Sequence, residues 1–286
     1  MTSTVRFAAL AAVVGAAVAL AGGDARAFTQ TAAGYVLTDS EEAGGPAFAW
    51  DDISTSGTLV SFAPDGDEGV ATATLPFSFS FGGTAYTSVN IMSNGFVTFG
   101  TTPTTYYWSN GALASTGPNN AIYGFWDDLD QLAGGQVRTQ SMGAGATQRF
   151  VISWIGVPRY LETSSITFQI ALFANGTIRI QYGTMTGTLT SCTIGIKTTT
   201  PNQYNANNVT TTNNVYANLA IQFAVPGAPP PPPPPPGGGT PASGDDDRSR
   251  SEEIKDEMCG GSAAATGGLG AMAFALLGAL AMIRRR

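Results

Sequence analysis

Through the middle of the chain apolar and polar positions alternate. "LPFSFSF" sets Phe77, Phe79 and Phe81 on one side of an extended backbone and serines on the other. "ITFQIALF" repeats the pattern with Ile166, Phe168, Ile170 and Leu172, and "LAIQFAV" with Leu219, Ile221, Phe223 and Val225. "TIRIQYG" alternates Ile178, Ile180 and Tyr182 with Arg179 and Gln181. A period of two marks a strand with one face in a core and the other in water. No stretch between residues 28 and 225 carries the helical period, so the region predicts strands almost throughout.

Turn residues fall where strands must reverse. "VNIMSNGFVTFG" and "ITFQIALFANGTIRIQYG" place Asn94-Gly95 and Asn175-Gly176 between apolar-alternating runs, which predicts type I′ hairpins with positive φ at both central residues. Many short strands with frequent turns predict an all-β domain, an antiparallel β-sandwich of jelly-roll-like form. The polar, poorly patterned stretch 197–218 predicts a long loop with room for one edge strand.

Both ends of the 286-residue chain differ from this middle. Arg6, the apolar stretch Phe7 to Ala21 and the small-x-small run Ala25-Arg26-Ala27 read as a signal peptide over 1–27, cleaved after Ala27. After the domain at 28–225 comes a Pro/Gly/acidic linker at 226–258, with eight consecutive prolines. Those prolines predict a polyproline II rod of about 25 Å, and the charged remainder predicts disorder. Residues 259–286 hold Cys259, Gly260, an apolar run from Leu269 to Ile283 and three arginines. That run predicts a short C-terminal hydrophobic helix of about 22 Å, marginal against the roughly 30 Å of a bilayer core, with the arginines on the cytoplasmic side.

Charge narrows the function. Between residues 28 and 225 there are twelve acidic and five basic side chains, a net of −7, and eleven of the twelve carboxylates precede residue 131. Nucleic-acid binding needs a basic footprint and is disfavoured on this count. The chain has no histidine, which removes a Ser-His-Asp triad, a Cys-His pair and any imidazole metal ligand. Two cysteines in segments of different character make no disulfide framework, and Cys192 reads as a small buried apolar residue.

Three groups of side chains remain as candidates. Asp127, Asp128 and Asp130 follow Phe125 and Trp126; closely spaced hard oxygen ligands suit calcium, while the same residues serve equally to cap a turn. Asp65, Asp67 and Glu68, bounded by proline and glycine, read as a solvated loop. Tyr106, Tyr107 and Trp108 lie in a turn-rich segment where exposed rings would stack on a sugar, whereas Trp154 reads as core. Asp127 with Glu162 or Asp52 would make a glycosidase carboxylate pair on paper, but any acidic β domain offers such pairs, and no enzyme is expected.

The ordered set "LPFSFSFGGTAYTSVNIMSNGFVTFG", "AIYGFWDDLD", "QRFVISWIGV" and "ITFQIALFANGTIRIQYG" resembles the extracellular nidogen-type (NIDO) domain and its bacterial surface relatives. Trp126, Asp128 and Asp130 fit its Trp-x-Asp-x-Asp segment, and Phe168-Gln169 its aromatic-Gln pair. The resemblance implies a non-catalytic extracellular module used in matrix or cell-surface contacts, and it supplies no catalytic residue. The tail resembles the MYXO-CTERM class of sorting signals. That implies processing by a sorting protease at Cys259-Gly260, lipid attachment to Cys259 and display on the outer envelope of a Gram-negative bacterium. The expectation is therefore an exported β-sandwich module, anchored through its C-terminal segment or a lipid, for adhesion or envelope structure. The alternative is a glycan-binding or calcium-dependent lectin-like domain, and its partner an extracellular protein or a glycan.

Overall fold

The computed structural model describes residues 30–187, 189–205 and 215–227. The expected signal peptide with Ala27, the proline-rich linker, Cys259, Gly260 and the C-terminal helix lie outside the described residues.

Fourteen strands form in chain order: β1 Gln30–Ala32, β2 Tyr35–Asp39, β3 Thr58–Leu59, β4 Val70–Phe81, β5 Thr84–Met92, β6 Phe96–Thr98, β7 Ala121–Trp126, β8 Gln136–Met142, β9 Arg149–Val157, β10 Ile166–Phe173, β11 Ile178–Tyr182, β12 Thr193–Lys197, β13 Pro201–Asn205 and β14 Ala220–Ala224. The helical content of the described residues is one 3-10 turn at Gly145–Thr147, and none of their helices is long and apolar enough to cross a membrane. Two antiparallel sheets result, ordered β1-β2-β14-β11-β10-β9-β8-β3 and β13-β12-β7-β6-β5-β4. Each grows around a run of consecutive hairpins, β8 to β11 in the larger sheet and β4 to β7 in the smaller.

The alternating residues meet between the sheets. Phe79, Phe81, Ile91 and Phe125 of one sheet share a buried cluster with Leu37, Trp154, Phe168 and Ile180 of the other. Trp154 and Phe168 stack with centroids 4.7 Å apart, and Phe168 reaches Phe125 in the opposite sheet at 6.0 Å. Buried polar atoms find partners across the gap: the Tyr182 hydroxyl donates to the Gly124 carbonyl at 2.6 Å, and Trp154 Nε1 to the Ser93 carbonyl at 3.3 Å. Burial raises the Tyr182 pKa well above its ordinary value, so this donor keeps its proton. Glycine at 124 sets the sheet separation, because a Cβ there would lie 2.6 Å from Phe168 Cε2.

Hairpin chemistry departs from expectation in detail. Gly95 and Gly176 have φ of 80° and 86°, but Asn94 and Asn175 are not in the left-handed region, so neither turn is type I′. The β5–β6 turn has three residues, with the glycine alone in the left-handed region, and this frees the Asn94 side chain to point inward. Two-residue turns with positive φ at both positions occur instead at Ala33-Gly34 and Gly82-Gly83. The polar stretch after residue 197 does supply an edge strand, β13, paired to β12 and tied to the first hairpin by Asn202 Nδ2, which donates to the Ala32 and Tyr35 carbonyls.

The outer face of each sheet is covered by its own segment. Over the six-stranded sheet, residues 99–120 cap Met92, Phe96, Tyr123 and Trp126, which explains why β7 is buried on both faces. Over the eight-stranded sheet, residues 46–57 cross the strands and bury Ile53 against Val151, Ala171 and Phe173. Gln181 pairs with both the N–H and the carbonyl of Ala49 (2.5 and 2.8 Å), and Gln169 does the same with Asp51 (3.3 Å each). Asp51 then accepts two hydrogen bonds from Arg149. The period-two reading, which places Arg179 and Gln181 toward water, is thereby corrected: both are buried, Gln181 beneath the crossing segment and Arg179 against Phe173 and Gln222.

Candidate functional site

The segments that precede β4, join β6 to β7 and follow β7 converge on one buried side chain, Asn94. Its Oδ1 accepts the Leu129 N–H at 2.9 Å, and its Nδ2 donates to Glu68 Oε2 (3.3 Å) and to the Tyr106 carbonyl (3.2 Å). Three segments far apart in sequence, around Glu68, Tyr106 and Leu129, are thus held together. Neighbouring Ser93 fixes the first of them, donating to the Asp67 carbonyl and accepting the Gly69 N–H at 2.9 Å.

The expected carboxylate trio is distributed over three different tasks. Asp127 is buried; Arg159 Nε lies 2.9 Å from its Oδ2, Arg159 Nη2 donates to its Oδ1 at 3.3 Å, and the Ser191 hydroxyl donates to it as well. Asp130 caps a turn through the N–H groups of Leu132 (2.8 Å) and Ala133 (3.2 Å), and Asp65 caps another through those of Asp67 and Glu68. Asp128 joins Asp67 and Glu68 instead: one carboxylate oxygen from each lies within 4.8 Å of the others, all three half-buried. Hard oxygen donors at that spacing have the chemistry of a calcium site. Bounded by proline and glycines, Asp67 and Glu68 read in the sequence as a solvated loop; Asp128 follows Glu68 by sixty residues, and no local spacing signals the encounter.

The aromatic run is divided as well. Tyr106 and Tyr107 pack on the outer face of the six-stranded sheet beside Phe96, while Trp108 is 49% exposed. Tyr107 adopts φ of 54°, sparsely populated for a bulky residue, and its carbonyl accepts Trp126 Nε1 at 2.6 Å. Asn110 Nδ2 closes the segment by donating to the Trp126 and Ser191 carbonyls (2.9 and 2.6 Å). Trp108 therefore stands on a backbone fixed on both sides. One amide group, that of Asn94, connects the segment presenting it to the carboxylate cluster. In the sequence, Asn94 signals only a turn.

Two β-sheets packed face to face, with a loop end carrying an exposed tryptophan and a carboxylate cluster, define a β-sandwich module. A family model described as "NIDO related" matches residues 41–227, well over half of the chain, and the chain belongs to that family. That is not a known enzyme family. No curated protein and no solved structure matches the chain.

Proposed function

We propose that this module is exported, held at the cell surface and used in adhesion or envelope contacts, with the Trp108 end as its contact face. The observation that carries the reading is the half-exposed indole on a segment whose carbonyls are bound by Asn94 and Trp126. A rigid aromatic anchor contributes contact area at low entropic cost, as at protein interfaces generally. Export rests on the signal-peptide pattern ending at Ala27, and anchoring on the tail from Cys259. Cys259→Ser is expected to leave the full-length chain in the inner membrane; equal mass and equal fractionation of mutant and wild type would contradict the sorting step.

A calcium-dependent, glycan-binding reading is favoured by the carboxylates of Asp67, Glu68 and Asp128 within 4.8 Å, joined through Asn94 to the segment bearing Trp108. A cation there would fix Glu68 and, through Asn94, the tryptophan. A glycan array probed with wild type and Trp108→Ala, with and without calcium, separates the two readings. Binding of sugars by wild type alone supports the lectin, and no sugar binding by either protein leaves a protein or envelope partner.

A further inference from the structure

Of the five basic side chains between residues 28 and 225, Arg179 is the most enclosed, at 8% exposure. It lies on the outer face of β11, beside Phe173 and Gln222. Its Nη2 donates to Gln222 Oε1 at 2.8 Å, and its Cζ sits 5.5 Å from the Phe173 ring centroid. Its Nε is buried with no acceptor among the described residues. Thr177, just ahead of β11 and opposite Phe173, whose N–H donates to its carbonyl at 2.9 Å, is fully buried, and its Oγ1 also has no partner among the described residues.

Charge is unbalanced at the same place. Arg149 approaches the same Phe173 ring, with Cζ at 6.0 Å from the centroid, but it holds Asp51 in a two-point ion pair. None of the ion pairs among the described residues involves Arg179. Two guanidinium groups thus share one carboxylate, which leaves a desolvated positive charge, a costly arrangement unless an anion completes it. Burial depresses the Arg179 pKa, with Asp51 opposing and Arg149 reinforcing that effect, yet a guanidinium stays protonated in proteins.

We propose that Arg179 and Thr177, in the field of Arg149, form a seat for one small inorganic oxyanion of the phosphate or sulfate class. Beside it on β14, Gln222 and Ala224 are partly exposed. A carbonyl or a water molecule would satisfy the two donors but leave the charge; an oxyanion accepts from both the Nε–H and the hydroxyl and neutralises the excess. The seat shares no residue with the Trp108 end, so it is independent of the adhesion reading.

The test is thermal unfolding of the full chain at constant ionic strength, with sodium chloride replaced stepwise by sodium phosphate or sodium sulfate. The Tm of wild type is expected to rise and saturate, as for a ligand bound only by the folded state. Thr177→Val weakens the apparent affinity about fivefold, one neutral hydrogen bond's worth, and Arg179→Gln abolishes the saturable part. Sulfate and phosphate also stabilise proteins generally by exclusion from the surface, and that effect neither saturates nor depends on Arg179. A rise of equal size and shape in wild type and Arg179→Gln therefore means an adventitious ion only and overturns the proposal. If Arg179→Gln fails to fold, the ¹⁵N resonance of Arg179 Nε in wild type decides: a saturable shift on adding phosphate supports the seat, and an unmoved resonance overturns it.

Discussion

Gln169 and Gln181 face each other across β10 and β11, and each pairs its side-chain amide with the backbone N–H and carbonyl of one residue of the crossing segment. Gln181 also donates to Gln169 Oε1 at 3.3 Å, so the two amides form a continuous polar row under a chain that no strand pairs with. A side-chain amide has one donor and one acceptor face, as a peptide group does. Two of them, opposite each other on neighbouring strands, therefore do for an extended segment what a neighbouring strand would otherwise do.

Gln169→Leu keeps the volume but orphans the Asp51 N–H and carbonyl. It is expected to cost about 1–3 kcal/mol in urea unfolding. Amide exchange at Asp51 should accelerate while exchange within β10 and β11 stays slow. Unchanged exchange at Asp51 would show that the amide row does not hold the segment.

Asp39 gives stability a pH dependence of defined sign. It is 1% exposed; burial raises its pKa, while the Glu41 and Glu42 N–H groups and the Tyr204 hydroxyl oppose that rise. The folded state then holds this proton more tightly than the unfolded state, so Asp39 favours folding at low pH. Its contribution is lost as pH rises from the unfolded carboxylate value, about 3.9, through the raised folded value. Asp39→Asn removes the titration. Subtracting its stability profile from that of wild type should leave a curve that falls with pH across this acid window and is flat above it. A difference curve that rises with pH would contradict the buried-carboxylate account.

Sheet spacing is tested at two glycines. Gly124→Ala puts a methyl 2.6 Å from Phe168 Cε2 and 3.0 Å from Ile170, and is expected to cost about 1–3 kcal/mol. Gly95→Ala should cost more, because φ is 80° and the added carbon would lie 2.0 Å from the Phe125 carbonyl oxygen. Denaturant midpoints in that order check the packing; equal midpoints for both variants and wild type would refute it.

The carboxylate cluster is tested by melting in calcium and in chelator. A resident cation raises stability by about 2.7 kcal/mol at a hundredfold excess over Kd, and Asp128→Asn should remove most of that gain. Asp130→Asn should not, since Asp130 is a turn cap. A midpoint unmoved by chelator in wild type contradicts the calcium reading.

Strands were legible in the sequence wherever one face meets the core and the other meets solvent. Phe79 and Phe81 are buried as the alternation required, with Phe77 packed at the margin of the core. Legibility failed where a covering segment reverses the meaning of a polar position, as at Gln169 and Gln181, because residues 46–53 have no period of their own and bind through the side chains of other strands. The candidate site was legible in its parts, Trp108 and Asp128, but not in its assembly. Asp67, Glu68 and Asp128 come together only through the folded positions of the β5–β6 turn and the segment after β7, and Asn94 resembles any other turn asparagine until its neighbours are in place.

The contact role of the Trp108 end is the central claim, and retention of the purified chain on intact cells and extracellular matrix tests it most directly when wild type is compared with Trp108→Ala. Half of the indole is already in solvent, so the substitution is expected to change stability by no more than about 1 kcal/mol. The account predicts that wild type is retained and that Trp108→Ala, with an unchanged melting midpoint, loses roughly tenfold or more in apparent affinity, the 1.4 kcal/mol or greater loss expected of an interface anchor. Equal retention of the two proteins would contradict it.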